Sequence, residues 1–422
     1  MVTEIAPVTF QYSHTIGRQE NRSGTGFFYP VAITRDDENR LYVLNRGSET
    51  PAFFPCKRVT VFTVDEELVR EFGEKVHPED ANDSAPAGTF MWPTSIALDS
   101  KGIAYVSDEW LNRISVFNQD GDCTGTWGKL GDGDGEFNRP SGLAFDKEDN
   151  LYLVDGANHR IQKFTKDGKF LAKWGHLGTG DGEFEHPWGI EIDHNGDIYV
   201  ADWRNDRIQK FASDGTFLMK FGISGQGDGE LNRPTGVAVD KDGIIYVTDF
   251  KNDRLQVFDT DGSFITKLMG EATLSKWGRQ RVELDSSMMR GRERAPGLEE
   301  REKLFQGPIA VEVDDDGRVF VVETSRQRVQ VFRKQTAKFV GGPDYAARIH
   351  AAAGEEQGHG VLVVVAAQFF TAAPLTVVRG PPELAAPDDQ RLVEQAAFLE
   401  VLDEGRHGFV DGSYALGVSP GY

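Results

Sequence analysis

Cysteine is scarce in this chain. Cys56 and Cys123 are its two copies, far apart and outside any ligand spacing or disulfide framework. Long apolar runs are missing as well. None approaches the ~20 residues that a membrane span needs, so no membrane partner is expected. The N-terminus, "MVTEIAPVTFQYSH", lacks a basic stretch followed by an apolar one, so no signal peptide is expected and the expected localisation is cytoplasmic. Basic residues are in deficit, with 46 Lys and Arg against 67 Asp and Glu, a net charge of −21. Such a chain repels phosphate backbones, and no nucleic-acid partner is expected. No G-x-S-x-G elbow and no H-x-x-x-H or H-E-x-x-H pair occurs, which removes the commonest signatures of a serine hydrolase or a zinc protease.

What is abundant is glycine, with 47 copies, and phenylalanine, with 28, a balance that favours turn-rich β structure. The glycines belong to a repeat. "FNRPSGLAFDKEDNLYLVDGANHRIQKFTKDGKFLAKWG" returns as "FEHPWGIEIDHNGDIYVADWRNDRIQKFASDGTFLMKFG" and again as "LNRPTGVAVDKDGIIYVTDFKNDRLQVFDTDGSFITKLMG". Pro93, Pro140, Pro187 and Pro234 are spaced by 47 residues, as are Asp108, Asp155, Asp202 and Asp249. Divergent copies begin at Pro30 and Pro308, which makes six. Each unit reads as four short strands joined by Asp/Gly turns, the period of a propeller blade. The expected fold is an all-β, six-bladed propeller over residues 10–335, followed by an Ala-rich C-terminal extension, 336–422. Within that extension "GVLVVVAAQFFTAAPLTVV" reads as strand or buried segment and "DDQRLVEQAAFLEVL" as a short helix.

The N-terminal "FQYSHTIG" ends at Gly17, thirteen residues before Pro30, much as Gly128, Gly175 and Gly222 each precede a Pro by twelve. It therefore reads as an outer strand without a blade of its own. The sixth copy has three clear strands, so the N-terminal strand is expected to complete it and remove a free sheet edge. "TAKFVGG" is the rival fourth strand.

The pattern P-x-G-[ILV]-x-[VIF]-D, then [IL]-Y-[VL]-x-D, then N-x-R-[IL]-Q resembles the NHL repeat, and the chain resembles bacterial six-bladed NHL β-propeller proteins. Blade one departs from it with "VLNRGSETPAFFPCKRVTVF", and blade six carries Glu323 and Arg326 where Asp and Asn are expected. The resemblance implies several functions. Peptide-amidating lyases that resemble NHL propellers hold zinc with three histidines from different blades. Here the propeller histidines, His14, His77, His159, His176, His186 and His194, share no equivalent blade position, which speaks against that lyase. RNA-binding NHL domains use a basic face that this acidic chain lacks.

The recurring sets Asp108/Asn112/Arg113, Asp155/Asn158/Arg160, Asp202/Asn205/Arg207 and Asp249/Asn252/Arg254 read as structural, because a group present in four blades cannot define one active site. Asp and Asn cap turns, and Arg can pair with Asp. The same reasoning covers "LGDGDGEFNRP". It has the look of a calcium loop, but it recurs at the blade period as "GTGDGEFEHP" and "GQGDGELNRP", and it lacks the EF-hand Gly and Glu.

Information about function lies where the copies differ. The loops between blades and the loops between second and third strands emerge on one face. Before or beside the Pro that face carries Tyr29, Trp92, Arg139, His186, Trp188 and Arg233, with Gly307 in blade six. In the second loop set it carries Trp110, His159, Trp203 and Phe250. Aromatics interleaved with Arg and His suit a protein or small-molecule ligand on the loop-rich face. Three enlarged links, including the helical and arginine-rich 271–308 between blades five and six, are expected on the same face. On the innermost strands, at the position held by Ala97, Ala144 and Ala238 and by Thr34 in blade one, Glu191 and Glu312 face the channel; two carboxylates there could hold a divalent cation (Ca or Zn) or work as acid and base, although no cofactor is expected. The leading expectation is a binding or scaffold propeller; the alternative is a lyase or hydrolase at the channel mouth.

Overall fold

A computed structural model describes residues 8–336, apart from 21–23, 49–55, 77–79, 81 and 83. The extension 337–422 and most of the blade-one inner loop therefore lie outside the described residues. Six four-stranded antiparallel sheets form the six blades of a propeller ring. Strand β1 (Val8–Ile16) stands first. Blade one is β2–β5 (Pro30–Arg35, Leu41–Asn45, Arg58–Phe62, Leu68–Phe72) and blade two β6–β9 (Pro93–Leu98, Ala104–Asp108, Arg113–Phe117, Cys123–Trp127). Blade three is β10–β13 (Pro140–Phe145, Asn150–Asp155, Arg160–Thr165, Phe170–Trp174) and blade four β14–β17 (Pro187–Ile192, Ile198–Asp202, Arg207–Phe211, Phe217–Phe221). Blade five is β18–β21 (Pro234–Val239, Ile245–Asp249, Arg254–Phe258, Phe264–Leu268), and blade six begins with β22–β24 (Pro308–Val313, Arg318–Glu323, Arg328–Thr336).

Strand β1 completes blade six. It pairs antiparallel with β24, Val8 opposite Thr336 and Ile16 opposite Val329, with one irregularity between Tyr12 and His14. The first and last described strands thus close the ring as one sheet.

Position in the blade explains the residue pattern. Second strands are covered on both faces by neighbouring blades, and Ile198–Asp202 is buried along its whole length. Outer strands face a neighbour on one side only, so Phe170–Trp174 alternates between partly buried and exposed. The core lies between blades: Tyr152 and Val154 of blade three pack with Phe184, Ile190, Val200 and Phe211 of the next joint and blade. The Gly of P-x-G follows from the inner strands' convergence. A Cβ at Gly142 would stand 2.6 Å from the Trp188 carbonyl oxygen, and one at Gly189 only 2.2 Å from that of Thr235.

The segment 271–308 forms three short helices, α1 (Lys276–Leu284), α2 (Ser286–Glu293) and α3 (Leu298–Lys303). Its start reaches the loop-rich face, where Thr273, Leu274, Ser275 and Gly278 line a cavity with Arg18 and Gln19 of the link into blade one and with Ser325, Arg326 and Gln327 of the blade-six inner loop. Helix α1 packs on the outer flank of the seam between blades six and one. Its first two N–H groups donate to Glu66, in the β4–β5 turn at the blade end opposite the loop-rich rim, at 2.9 Å each. Trp277 is buried against Phe27 and Phe62, and Thr273 meets the Tyr12 hydroxyl of β1. The reason is volume. The last residue of the outer strand fills each seam, and it is Trp127 and Trp174 in blades two and three but only Ile16 in blade six; Trp277 supplies the missing indole. Two of the segment's arginines are accounted for: Arg292 forms a bidentate pair with Glu302, while Arg290 lies in the last turn of α2, where cations favour the helix dipole.

Candidate functional site at the channel mouth

The repeated polar residues form one structural network. In blade three, buried Asp155 accepts from Asn138 N–H, the Asn158 amide, Arg160 Nε and the Gln162 amide. The other nitrogens of Arg160 donate to the carbonyls of Asp132, Gly133 and Glu136, at 2.7 to 3.1 Å. The carbonyl cradle that resembled a calcium loop is therefore filled by a guanidinium. Blades four and five repeat the arrangement with Asp202/Arg207 and Asp249/Arg254, and in blade six Glu323 pairs with Arg328 in the same way. Blade two keeps the carbonyl part, Arg113 donating to Ala85, Pro86 and Thr89, but departs at the carboxylate: Asp108 accepts from the N–H groups of Met91, Trp92, Trp110 and Leu111.

With the repeated residues fixed, two variable positions per blade stand on the rim. One precedes the Pro, the other follows the strand-two Asp or its equivalent. They meet through the backbone: Arg46 N–H donates to Tyr29, Glu109 to Trp92, Gly156 to Arg139 and Thr324 to Gly307. The same register joins His186 with Trp203 and Arg233 with Phe250. Most pre-Pro residues are left-handed, with φ of 50° at Tyr29, 57° at Arg139, 49° at His186 and 55° at Arg233. A second left-handed set, one residue before the Arg of the motif, holds them in place. Asn112 accepts the Arg139 N–H, His159 Nδ1 the His186 N–H, Asp206 the Arg233 N–H and Asp253 the Gly307 N–H, at 2.7 to 3.1 Å. These side-chain acceptors link blades two to six in succession.

The rim residues fall into two sectors. Between blades one and three, buried Glu109 pairs with Arg46 and lies 3.7 Å from Arg139. Arg46 also covers the face of Trp92, which meets Trp110 edge-on at 4.8 Å; both indoles rest on a small cluster of Val76, Ala85, Met91 and Leu111. Between blades three and five, the rings of His159 and His186 meet at 4.7 Å, and Arg233 stacks on Trp203 at 4.6 Å with Arg204 on the same indole at 5.7 Å. Burial, then His159, Arg204, Arg139 and Arg233, drives the His186 imidazole down to about 4, so it is neutral near pH 7. His159 is lowered too, chiefly by burial. Phe250 is buried beneath Gly307 and presents little surface, and Tyr29 packs edge-on to Phe28. Arg46, Glu109 and Arg204 were missed in the sequence; for Arg46 and Glu109 the signal was the position after the strand-two Asp or its equivalent, which differs in every blade, and Arg204 stands one residue further on.

Below the rim lies the channel, a cavity of about 210 Å³ lined by the six inner strands and by Trp188. Glu191 and Glu312 both project from the register that places Tyr199 and Phe320 opposite them. Burial pushes Glu312 up to about 7, against the pull of Arg35, whose Nε lies 3.5 Å away. Glu191 goes well above the ordinary carboxylate range, first through burial and then through the charge of Glu312. Both carboxyls therefore bind protons more tightly than an ordinary glutamate does. Among the described residues no group of three or more His, Cys, Asp or Glu stands together as a metal cluster. No helix of the described residues is long and apolar enough to cross a membrane.

The NHL repeat family model matches residues 137–164, 184–211 and 231–258, which fall in blades three, four and five. Comparison with curated proteins gives no match. Similar solved structures include a Bacteroides thetaiotaomicron protein of unknown function, at 20% identity and a TM-score of 0.52, over 78% of this chain and 76% of that one. An auxiliary nutrient binding protein from the same organism matches at 10% identity and a TM-score of 0.50, over 78% and 77%. Virginiamycin B lyase from Staphylococcus aureus matches at 14% identity and a TM-score of 0.46, over 79% and 90%. At these identities the likeness concerns the fold alone. With NHL repeats in three successive blades and six four-stranded sheets closed by its N-terminal strand, the chain is an NHL-repeat six-bladed β-propeller.

Proposed function

We propose that this propeller is a binding protein that takes a small ligand or a protein partner on its loop-rich face, at the channel mouth. One observation carries the reading. The repeated residues are consumed by a blade-to-blade network, and the positions left to vary converge on the rim as a preorganised set of indoles, guanidiniums and imidazoles. Such groups anchor binding when a rigid scaffold holds them. A screen by thermal unfolding tests it. Compounds that stabilise the wild type should lose that effect in Trp110→Ala, Trp203→Ala and Arg233→Ala while keeping it in Lys147→Ala, whose side chain lies beside the cavity at the opposite end of the blades. Hits that ignore all three rim changes would place binding elsewhere.

The second reading, a lyase or hydrolase at the channel mouth, is supported by the chemistry of its groups: a rim imidazole, His186, lowered to about 4, and two channel carboxyls, Glu191 and Glu312, that bind protons more tightly than ordinary carboxyls do. Metal analysis of the purified protein addresses the metal-assisted form of it, where a divalent cation such as Ca or Zn would sit on the two carboxylates. Stoichiometric Ca or Zn, lost in Glu191→Gln, would favour this reading over the first.

A further inference from the structure

The blade-three to blade-five sector sets two arginines, Arg204 and Arg233, on the Trp203 indole, and its carboxylate, Glu185, lies 3.7 Å from Arg204 rather than against Arg233. Arg233 is central to it. Its backbone N–H is tied to Asp206 and its guanidinium lies on the Trp203 face; among the described residues no carboxylate is paired with it. An arginine held flat on an indole has lost much of its rotamer freedom before any ligand arrives, so its fork of donors is preorganised. Arg139 borders this sector from the neighbouring one, close enough to act with Arg233 on the His186 imidazole, and its Nε lies 3.7 Å from Glu109. His159 adds a neutral donor. Its Nδ1 accepts the His186 N–H, which places its own proton on Nε2.

We infer that this sector is a receptor for the oxyanion of a small ligand, a carboxylate or a phosphate, with Arg233 as its principal clamp, Arg139 as its second cation, Trp203 as platform and His159 Nε2–H as a charge-neutral donor. The inference rests on the binding reading above and narrows it to one ligand chemistry. The geometry suits an anion for a physical reason: guanidiniums and a neutral N–H donor offer only donors, and a neutral or cationic ligand would leave them unmatched. It also resolves a tension in the charge distribution. A net charge of −21 repels polyanions at long range, yet a small anion reaching the rim meets a local positive field that is screened only over roughly 8–10 Å at physiological salt.

Titration calorimetry with two probes, succinate and inorganic phosphate, tests it at pH 7.5 and low salt. Saturable binding of at least one probe is expected, weakened roughly tenfold or more in Arg233→Met and to a smaller degree in Arg139→Met, and unchanged in Lys147→Ala. The probe that binds more tightly assigns the carboxylate or the phosphate. Absence of saturable binding for both probes overturns the inference, and so does binding that Arg233→Met and Arg139→Met leave intact. If both probes fail while a neutral compound still binds in a Trp203-dependent way, the oxyanion assignment falls and the binding reading stands. If Trp203 and Arg233 changes affect no ligand at all, both fall.

Discussion

Trp277, which arrives from the link between blades five and six, packs edge-on to Phe62 of blade one, with ring centroids 6.0 Å apart and planes at 70°. That contact makes the insertion a fastener of the ring seam. The interface between blades one and six is where the chain closes on itself, and β1 alone offers Ile16 where Trp127 fills the seam after blade two. Trp277→Ala should cost about 3–5 kcal/mol of unfolding free energy, as buried large-to-small aromatic changes do. Denaturant unfolding measures it. A loss under ~1 kcal/mol would show that α1 merely rests on the ring.

Glu66 contributes to the same joint from the other side. Its carboxylate caps the N–H groups of Lys276 and Trp277, at the positive end of α1. Glu66→Ala should cost about 0.5–2 kcal/mol. The change should be local: hydrogen exchange is expected to accelerate over 276–284 while the central strands of blades three to five stay protected. Uniform acceleration through every blade would contradict a capping role.

How far the sequence reached can be judged from these residues. The blade count, the strand swap and the structural reading of Asp155, Asn158 and Arg160 were legible because a 47-residue period repeats the same physical problem, and the same residues solve it each time. The rim was only half legible. Arg139, His186 and Arg233 stood out beside a fixed Pro, and Glu109 follows Asp108 at the same spacing as Trp203 follows Asp202 and Phe250 follows Asp249, whereas Arg46 sits in a loop whose length breaks the repeat, so its equivalence appears only through the backbone pairing. The path of 271–308 was not legible. A helix with one buried Trp could lie on either end of a ring, and the cavity that Trp277 fills exists only once Ile16 is seen in register with Trp127. Phe250 misled for a related reason: an aromatic in a loop can lie under that loop.

The Asp–Arg network makes a prediction about the blades themselves. Asp202 is fully buried and accepts from Glu185 N–H, Asn205, Arg207 and Gln209. Asp202→Ala leaves the Arg207 guanidinium buried beside an empty acceptor site, at a cost of about 3–5 kcal/mol. The double change Asp202→Ala/Arg207→Met should recover part of that loss. Equal stability of the single and double variants in chemical denaturation would mean that Arg207 is satisfied by the carbonyls of Thr179, Gly180 and Glu183 alone.

The channel carboxyls give the pH dependence its sign. Both Glu191 and Glu312 bind protons more tightly in the folded protein, Glu312 with its value raised from 4.5 to about 7. A carboxyl with a raised folded value contributes stability in full below its unfolded value and loses it as pH rises through the folded one. The wild type should therefore lose stability between about pH 4.5 and 7, on the order of 2 kcal/mol from this pair. Glu191→Gln removes one member and its repulsion of the other. Its melting temperature should match the wild type near pH 4.5 and exceed it at pH 8, with the difference opening across that window. Thermal unfolding of both proteins over the range checks it. Parallel curves would mean that water in the cavity solvates both carboxylates, and that the channel neither stores a proton nor gains from losing a charge.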